Sequence, residues 1–88
     1  MFQNIIRSVV EALVEYPDQV EVTQVEGSTT LVYELKVAPE DVGKVIGKKG
    51  RTINALRTLL KVAAARAKKK VILEVIQYDN SEKLGDAG

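Results

Sequence analysis

Two hydrophobic periodicities alternate along this chain of 88 residues, and their order restricts the fold to one class. Apolar side chains recur at helical spacing over residues 3–16, and they alternate with polar ones over residues 20–25 and 30–37. Helical spacing returns after residue 50, and a last alternating run covers residues 70–76. The apolar stripes of helices and the single apolar face of such a sheet must cover each other. The order therefore predicts an α+β fold built as a two-layer sandwich.

The predicted sheet has three strands, of which the run over residues 30–37 is the clearest. A short turn at residues 26–29 joins it to the preceding run as a hairpin, and a helical crossover joins it to the last run. A hairpin makes strands antiparallel and a crossover makes them parallel, so we expect a mixed sheet with three helices on one face. The strand face turned towards the helices is predicted to hold Leu31, Tyr33, Leu35 and Val37.

Two helices are predicted between the second and third strands, with a glycine-containing break between them. The first opens at a proline, and the carboxylates of Glu40 and Asp41 are expected to face the positive end of its dipole. It ends near Ile46 because residues 47–50 interrupt it. The second helix is predicted over residues 50–69. Its core stripe is expected to consist of Ile53, Leu56, Leu60, Ala63 and Ala67.

The long helix carries a second apolar strip, formed by Ala55, Leu59 and Val62, away from the core stripe. Packing against the first helix explains this strip. Packing against another protein molecule explains it equally well, so the sequence leaves both interpretations open.

Charge is divided unevenly along the chain, although the formal net charge is only +1. Residues 44–70 contain ten of the 13 Lys and Arg residues and none of the 12 Asp and Glu residues. A cationic face on an acidic body favours binding of a polyanion, because the acidic remainder reduces indiscriminate attraction while the basic face attracts phosphate. A solvated helix face without a partner would carry the same charge, so charge alone does not decide the function.

The composition excludes several classes of function. The chain has no Cys, which removes disulfides and thiolate metal sites, and no His, which removes the commonest metal ligand and the usual general base. So short a chain also has little room for a deep substrate cavity. We therefore expect no enzymatic activity, no cofactor, no metal and no small-molecule substrate.

Neither a membrane span nor a signal peptide is predicted. No run approaches the roughly 20 apolar residues of a span, and Arg7 lies inside the first apolar pattern rather than before it. We therefore expect a cytoplasmic protein without membrane contact. Residues 1–78 are predicted to form one domain, and the polar residues 79–88 are predicted to form a disordered tail.

Residues 45–53, Val-Ile-Gly-Lys-Lys-Gly-Arg-Thr-Ile, hold the most informative motif. Two glycines three positions apart allow a sharp turn and a close approach of a ligand to the backbone. The turn opens the long helix, whose free N–H groups and positive dipole end attract an anion. A tight corner between helices would also need glycine, but it would not require the adjacent Lys48 and Lys49, whose repulsion an anion relieves.

Two other phosphate-binding motifs do not fit the spacing. A Walker loop has four residues between its glycines, whereas Gly43 and Gly47 enclose three, and a second lysine follows Lys48 where Ser or Thr is needed. A dinucleotide fingerprint needs a further glycine where this chain has Val45, and it follows a strand rather than a helix. Both nucleotide-cofactor interpretations are thus excluded.

The motif resembles the KH-domain signature, Ile-Gly-x-x-Gly-x-x-Ile, between two helices. The predicted order αββααβ is that of the type II KH fold, and the length is similar to that of the small bacterial single-KH-domain proteins of the KhpA type. The resemblance covers about residues 1–78. One departure is the very short link between the long helix and the last strand, where KH domains place a variable loop.

This resemblance implies single-stranded RNA as the ligand, because KH domains clamp about four nucleotides with the GxxG backbone and hold the bases in an apolar groove. The residues that would hold phosphate are Gly47, Lys48, Lys49, Gly50 and Arg51. The groove floor would include Val45, Ile46 and Ile53. The cations at its rim would be Lys44, Arg57 and Lys61.

The expected function is non-catalytic binding of single-stranded RNA, as an RNA chaperone or a post-transcriptional regulator. All aromatic residues lie outside the motif, so base stacking is expected to be absent and binding to be weak and loosely specific. A second site would add avidity, and the resemblance implies a homodimer or a heteromer with a second KH-containing protein. The alternative function is a protein-interaction adaptor that uses the KH-like fold as a scaffold and docks through the second apolar strip.

Overall fold

The computed structural model describes residues 2–76, and it confirms the element order αββααβ. Short 3₁₀ turns precede β1, α2 and α3, at Pro17–Gln19, Pro39–Asp41 and Lys48–Gly50. The helices and strands are α1 (Gln3–Leu13), β1 (Glu21–Glu26), β2 (Thr30–Lys36), α2 (Val42–Ile46), α3 (Arg51–Arg66) and β3 (Lys70–Val75).

The three strands form one sheet in the order β1-β2-β3. The hairpin makes β1 and β2 antiparallel, and the Gly27 N–H donates to the Thr30 carbonyl across its turn at 2.7 Å. The crossover through α2 and α3 makes β2 and β3 parallel. The predicted mixed sheet is therefore confirmed, and it leaves β3 at one edge, in contact with α3.

One face of the sheet packs against the helices, and the alternation in β2 predicts that face correctly. The Tyr33 hydroxyl accepts a hydrogen bond from the Phe2 backbone N–H at 2.8 Å, which satisfies a polar atom inside the core. The fully buried residues on and just after β2 are Leu31, Tyr33, Leu35 and Val37. The helices contribute Ile6, Val10, Val45, Ile53, Leu56 and Leu60 to the same core.

Asp41 has a different role from the one that its position predicts. Its carboxylate is fully buried and accepts the backbone N–H groups of Glu15 and Tyr16, each at 3.0 Å. It therefore holds the chain that follows α1, and it forms no side-chain cap on α2. The same contacts explain why α1 ends at Leu13, earlier than predicted. Val14 is extended, and the next two N–H groups donate to Asp41 instead of to helical carbonyls.

Asp41 remains charged in spite of its burial. Burial raises the pKa of its carboxyl, but the two N–H donors and the Lys44 ammonium, 3.6 Å away, outweigh that effect and hold the pKa of Asp41 below its ordinary value of 3.8. The Lys44 ammonium also lies 3.7 Å from the Glu15 carboxylate. These contacts join the end of α1 to the start of α2.

The link between α3 and β3 is very short, as predicted, and α3 ends at Arg66 rather than at residue 69. The chain reverses direction at Lys68, whose φ is 58°. The Lys69 ammonium then lies 3.0 Å from the Glu26 carboxylate, and its hydrogen bond lowers the pKa of Glu26. This ion pair ties the reversal to the end of the β1–β2 hairpin.

The buried stripe of α3 follows the prediction as far as Leu60 and departs from it in the last turns. Ala64 is fully buried, whereas Ala63 is half-buried and Ala67 is exposed. A helical repeat of 3.6 residues allows the stripe to continue three or four positions after Leu60, and packing on the sheet selects the fourth.

No helix among residues 2–76 is long and apolar enough to cross a lipid bilayer. The predicted disordered tail over residues 79–88, and the predicted domain end at residue 78, lie outside the described residues.

Candidate nucleic-acid interface

The loop between α2 and α3 contains three residues with positive φ. Gly47 (φ 79°, ψ 172°) has a backbone conformation open essentially to glycine alone, and a Cβ there would collide with the Thr52 side chain. Lys49 (56°, 27°) and Gly50 (73°, 14°) are left-handed. Because Lys49 is not glycine, its conformation costs roughly 1–2 kcal/mol. Backbone strain of this kind clusters at ligand sites.

The start of α3, which follows this loop, has the features of an anion-binding site. Gly50 is the N-cap of this 16-residue helix, and no side chain caps it. The Arg51 N–H donates to the Lys48 carbonyl, and the N–H groups of the next residues lie at the positive end of the helix dipole. Lys48, Lys49 and Arg51 are exposed around this point, and within the described part of the chain none of them forms an ion pair. Such a site suits a phosphate group.

The three cations predicted for the rim lie in two places. Lys44 is bound to the α1–α2 junction through Asp41 and Glu15. Arg57 and Lys61 lie one turn apart on α3 and line a groove beside β3. The structure thus brings Arg57 and Lys61 together and gives Lys44 a structural contact.

The groove runs from the loop along α3 and the edge strand β3. Next to the loop is a depression of about 260 Å³ lined by Ile46, Gly50, Ile53, Asn54, Arg57 and Val75. A second depression of about 540 Å³ shares Asn54 and Arg57 and continues along the helix, where Thr58, Lys61 and residues 71–74 line it. A phosphate site and a groove with an apolar floor are therefore adjacent and continuous.

The three aliphatic residues predicted for the groove floor do not all lie in the groove. Ile46 and Ile53 line its loop end, whereas Val45 is only 1% exposed and packs in the core. Sequence reasoning missed Asn54, although its position one helical turn after Gly50 places it on the same side of α3 as the loop. It also did not predict that β3 forms a wall of the groove, because only tertiary packing places that strand beside α3.

Arg57 spans the groove between the helix and the edge strand. Its Nε donates to the Leu73 backbone carbonyl at 3.1 Å, and its Nη1 donates to Asn54 Oδ1 at 3.2 Å. The guanidinium is therefore held in place by both walls. Among residues 2–76 no aromatic side chain lines either depression, and Tyr33 lies in the core.

Comparison with known proteins gives a consistent result. A family model described as KhpA/KhpB, KH domain, matches residues 3–75. A Caldanaerobacter subterraneus subsp. tengcongensis protein named RNA-binding protein KhpA is 53% identical over 73 residues, which are 83% of this chain and 97% of that protein. A protein of the same name from Clostridium acetobutylicum is 46% identical over 74 residues, which are 84% of this chain and 99% of that protein.

A third protein of that name, from Listeria monocytogenes, is 43% identical over 75 residues, which are 85% of this chain and 99% of that protein. No solved structure matches this chain with significance. The family match extends from α1 to the end of β3, so it includes the loop and both walls of the groove. The chain belongs to the KhpA/KhpB family of KH domains, as its Gly-Lys-Lys-Gly loop and its αββααβ order predict.

Proposed function

We propose that this chain binds single-stranded RNA and catalyses no reaction on it. The observation that carries the proposal is the continuity of three features: a helix N-terminus without a side-chain cap, three cations that form no ion pair among residues 2–76, and a groove with an apolar floor. The loop would hold the sugar-phosphate backbone and the groove would hold the bases. The relatives described above are named RNA-binding proteins, which supports the same function.

We propose that its cellular role is that of an RNA chaperone or a post-transcriptional regulator. No aromatic side chain of the described residues lines the groove, so stacking, worth about 1–3 kcal/mol per base, does not contribute there. Binding would then depend mainly on phosphate contacts, which are weak and loosely specific. That behaviour suits a protein that contacts many transcripts.

The proposal is tested by titrating labelled single-stranded RNA against the wild type and a Lys48→Asp, Lys49→Asp variant over a series of salt concentrations. Asp adopts left-handed backbone more readily than Lys does, so the loop should keep its shape. We expect the affinity to fall sharply and the slope of log K against log salt to decrease by about two, one for each lost phosphate contact. Undiminished binding by the variant would contradict the proposal.

A matched control separates the loop from charge in general. Arg66→Glu, Lys70→Glu changes the net charge by the same amount away from the loop. Arg66 ends α3, roughly 22 Å from its first residue by helix rise, and Lys70 begins β3 after the short link. We expect this variant to keep most of the affinity. Equal losses in the two double variants would show that the charge acts without the loop.

The adaptor function is not favoured. It gives no reason for the strained Lys49, or for cations around the start of α3 that have no ion pair within the described residues. It also has no support from the relatives, which are named for RNA binding.

We propose in addition that the chain works as a homodimer or in a heteromer with a second KH-containing protein. Leu59 and Val62, from the second apolar strip, are 66% and 64% exposed, so packing against α1 leaves most of their surface uncovered. Val9 and Leu13 of α1 adjoin Leu59 in a shallow apolar depression. Joining two RNA sites through this surface would raise avidity without new contacts to RNA.

Sedimentation of the wild type and of Leu59→Lys tests the assembly. We expect a concentration-dependent dimer that the substitution dissociates. Val25→Lys is the control, because Val25 is 59% exposed on the open face of the sheet and should not affect assembly. A wild type that stays monomeric would contradict the homodimer, and failure to bind any second KH-containing protein would contradict the heteromer.

A further inference from the structure

One backbone acceptor on the groove side of β3 is already occupied. The N–H groups of Lys70 and Ile76 donate to Thr29 and Leu35, so even-numbered residues of β3 point their backbone groups towards β2. The N–H and C=O of one strand residue point to the same side, so the odd-numbered residues point theirs outward. The outward carbonyl of Leu73 accepts the Nε–H of Arg57, so one of its two lone pairs is taken.

The acceptor of Asn54 is occupied by the same guanidinium. Arg has only donors, so the amide atom that lies 3.2 Å from Arg57 Nη1 must be the oxygen, Oδ1. The amide nitrogen Nδ2 is left with its two N–H groups. This nitrogen lies towards the loop, since a Cβ placed on Gly50 would be 3.6 Å from it.

The loop end of the groove is therefore lined by donors. Asn54 Nδ2 and the remaining N–H groups of Arg57 face it, and the other lining residues there are aliphatic or glycine. The nearest carboxylate that lines the groove is that of Glu74, which belongs to the second depression and not to the first. A base seated at the loop end would meet mainly donors on the α3 side, while the outward backbone groups of Val75 lie on the β3 side.

The excess of donors over acceptors at the loop end affects which base can bind there. An unrestrained Asn pairs with adenine through both amide atoms, its oxygen accepting from the N6 amino group and its nitrogen donating to N7. The bond from Arg57 takes one lone pair of Oδ1 and fixes the plane of the amide, which disfavours that pairing. The keto oxygens of guanine and uracil are acceptors and match a donor wall, whereas adenine and cytosine present an amino group at the corresponding position.

We propose that Asn54 and Arg57 form a donor-rich wall that selects a keto base, guanine or uracil, over an amino base for the nucleotide beside Gly50. The inference rests on the proposed binding of single-stranded RNA. Arg57 acts in two ways, as a donor to the base and as the positioning residue that fixes the amide of Asn54.

The test compares oligo(U) with oligo(C) of equal length, because these pyrimidines differ at C4 in a keto against an amino group. We expect the wild type to prefer oligo(U) by roughly tenfold, within the range that one good pair of side-chain contacts to a base provides. Arg57→Met frees the Asn54 oxygen and the Leu73 carbonyl, so we expect the ratio of affinities to fall close to one.

Lys61→Met is the matched control for charge. It removes one cation from the same side of α3 one turn further on, and Lys61 has no hydrogen bond to Asn54 or Leu73. We expect it to weaken binding of both oligonucleotides equally and to leave the ratio unchanged. A merely structural role of Arg57 would likewise change both affinities and leave the ratio unchanged.

Asn54→Asp tests the wall in the opposite direction. The variant keeps the shape of the side chain but replaces the donor Nδ2 by an acceptor, so we expect oligo(C), whose N4 amino group donates, to be preferred. A wild-type ratio near one, or an unchanged ratio in both Arg57→Met and Asn54→Asp, would overturn this inference and leave RNA binding intact. Failure of the wild type to bind either oligonucleotide would overturn the proposed function as well.

Discussion

Gly47 faces Thr52 so closely that no side chain fits between them, because a Cβ on Gly47 would overlap the Thr52 side chain. The φ of 79° and ψ of 172° at Gly47 exclude other residues for a second, independent reason. Gly50 differs in both respects. Its left-handed conformation is open to Asn, and a Cβ there would make an ordinary contact of 3.6 Å with Asn54. The two glycines of the loop are needed for different reasons.

Gly47→Ala should therefore lower the free energy of unfolding by about 3 kcal/mol or more, from backbone strain and the steric overlap together. Gly50→Asn should lower it by less than about 1 kcal/mol, since Asn tolerates a left-handed backbone. Urea unfolding followed by circular dichroism measures both. Similar losses in the two variants would show that the loop relaxes around Gly47.

Lys49→Asn should stabilise the fold and weaken RNA binding. The substitution relieves part of the left-handed strain at Lys49, so we expect the free energy of unfolding to rise by up to about 1 kcal/mol, while a cation of the phosphate site is lost. Lys68→Asn is the matched control, because Lys68 also has a positive φ but lies at the far end of α3. It should gain stability and keep its affinity for RNA. Loss of stability in Lys49→Asn would argue against strain in the loop.

Asp41→Asn should destabilise the protein at neutral pH and reduce the pH dependence of its stability. One amide oxygen cannot replace two carboxylate oxygens that accept from Glu15 and Tyr16, so one partly buried N–H loses its acceptor. The pKa of Asp41 is held below 3.8, so its contribution to stability is full above that value and is lost as the pH falls through the folded-state pKa. Urea midpoints measured from neutral pH downwards check both effects.

Glu26→Gln serves as the comparison for Asp41→Asn. The hydrogen bond from Lys69 lowers the pKa of Glu26 as well, so Glu26 also contributes to the acid dependence. Because this pair is more exposed, its removal should change stability at neutral pH much less than Asp41→Asn does. A larger effect of Glu26→Gln would mean that the hairpin contact, and not the α1–α2 junction, dominates acid unfolding.

Tyr33→Phe should lower the free energy of unfolding by about 1 kcal/mol, because the Phe2 N–H loses its acceptor while the buried ring is kept. The same variant should speed hydrogen exchange at the Phe2 amide and leave exchange in β2 nearly unchanged. Uniform acceleration across the sheet would show instead that the hydroxyl holds the whole core together.

The loop illustrates how far sequence reasoning extends at the functional site. The spacing of Gly47 and Gly50 and the two lysines between them predict a turn and a cationic tip, and the structure shows that turn in place. The prediction works because the turn depends on neighbouring residues whose φ preferences are local. The strain at Lys49 is not readable from the sequence, since nothing local requires a lysine to be left-handed.

Asp41 and Arg57 show where that reasoning ends. Sequence position predicts a helix-dipole contact for Asp41 and a place on the groove rim for Arg57, but each makes its main contact with a distant part of the chain. Asp41 accepts from Glu15, 26 positions away, and Arg57 donates to Leu73, 16 positions away. A periodic pattern describes which face a side chain occupies and carries no information about the partner opposite it.

Periodicity and turn residues were thus sufficient for the element order, the buried face of β2 and the place of the loop, because each depends on residues within a few positions of one another. The other features of the structure depend on tertiary packing. The α1–α2 junction, the last turns of α3, the exposure of Leu59 and the contact of Arg57 with Leu73 follow from how the helices pack on the sheet. They depend on contacts between residues far apart in the chain, whose geometry exists only once the two layers have come together.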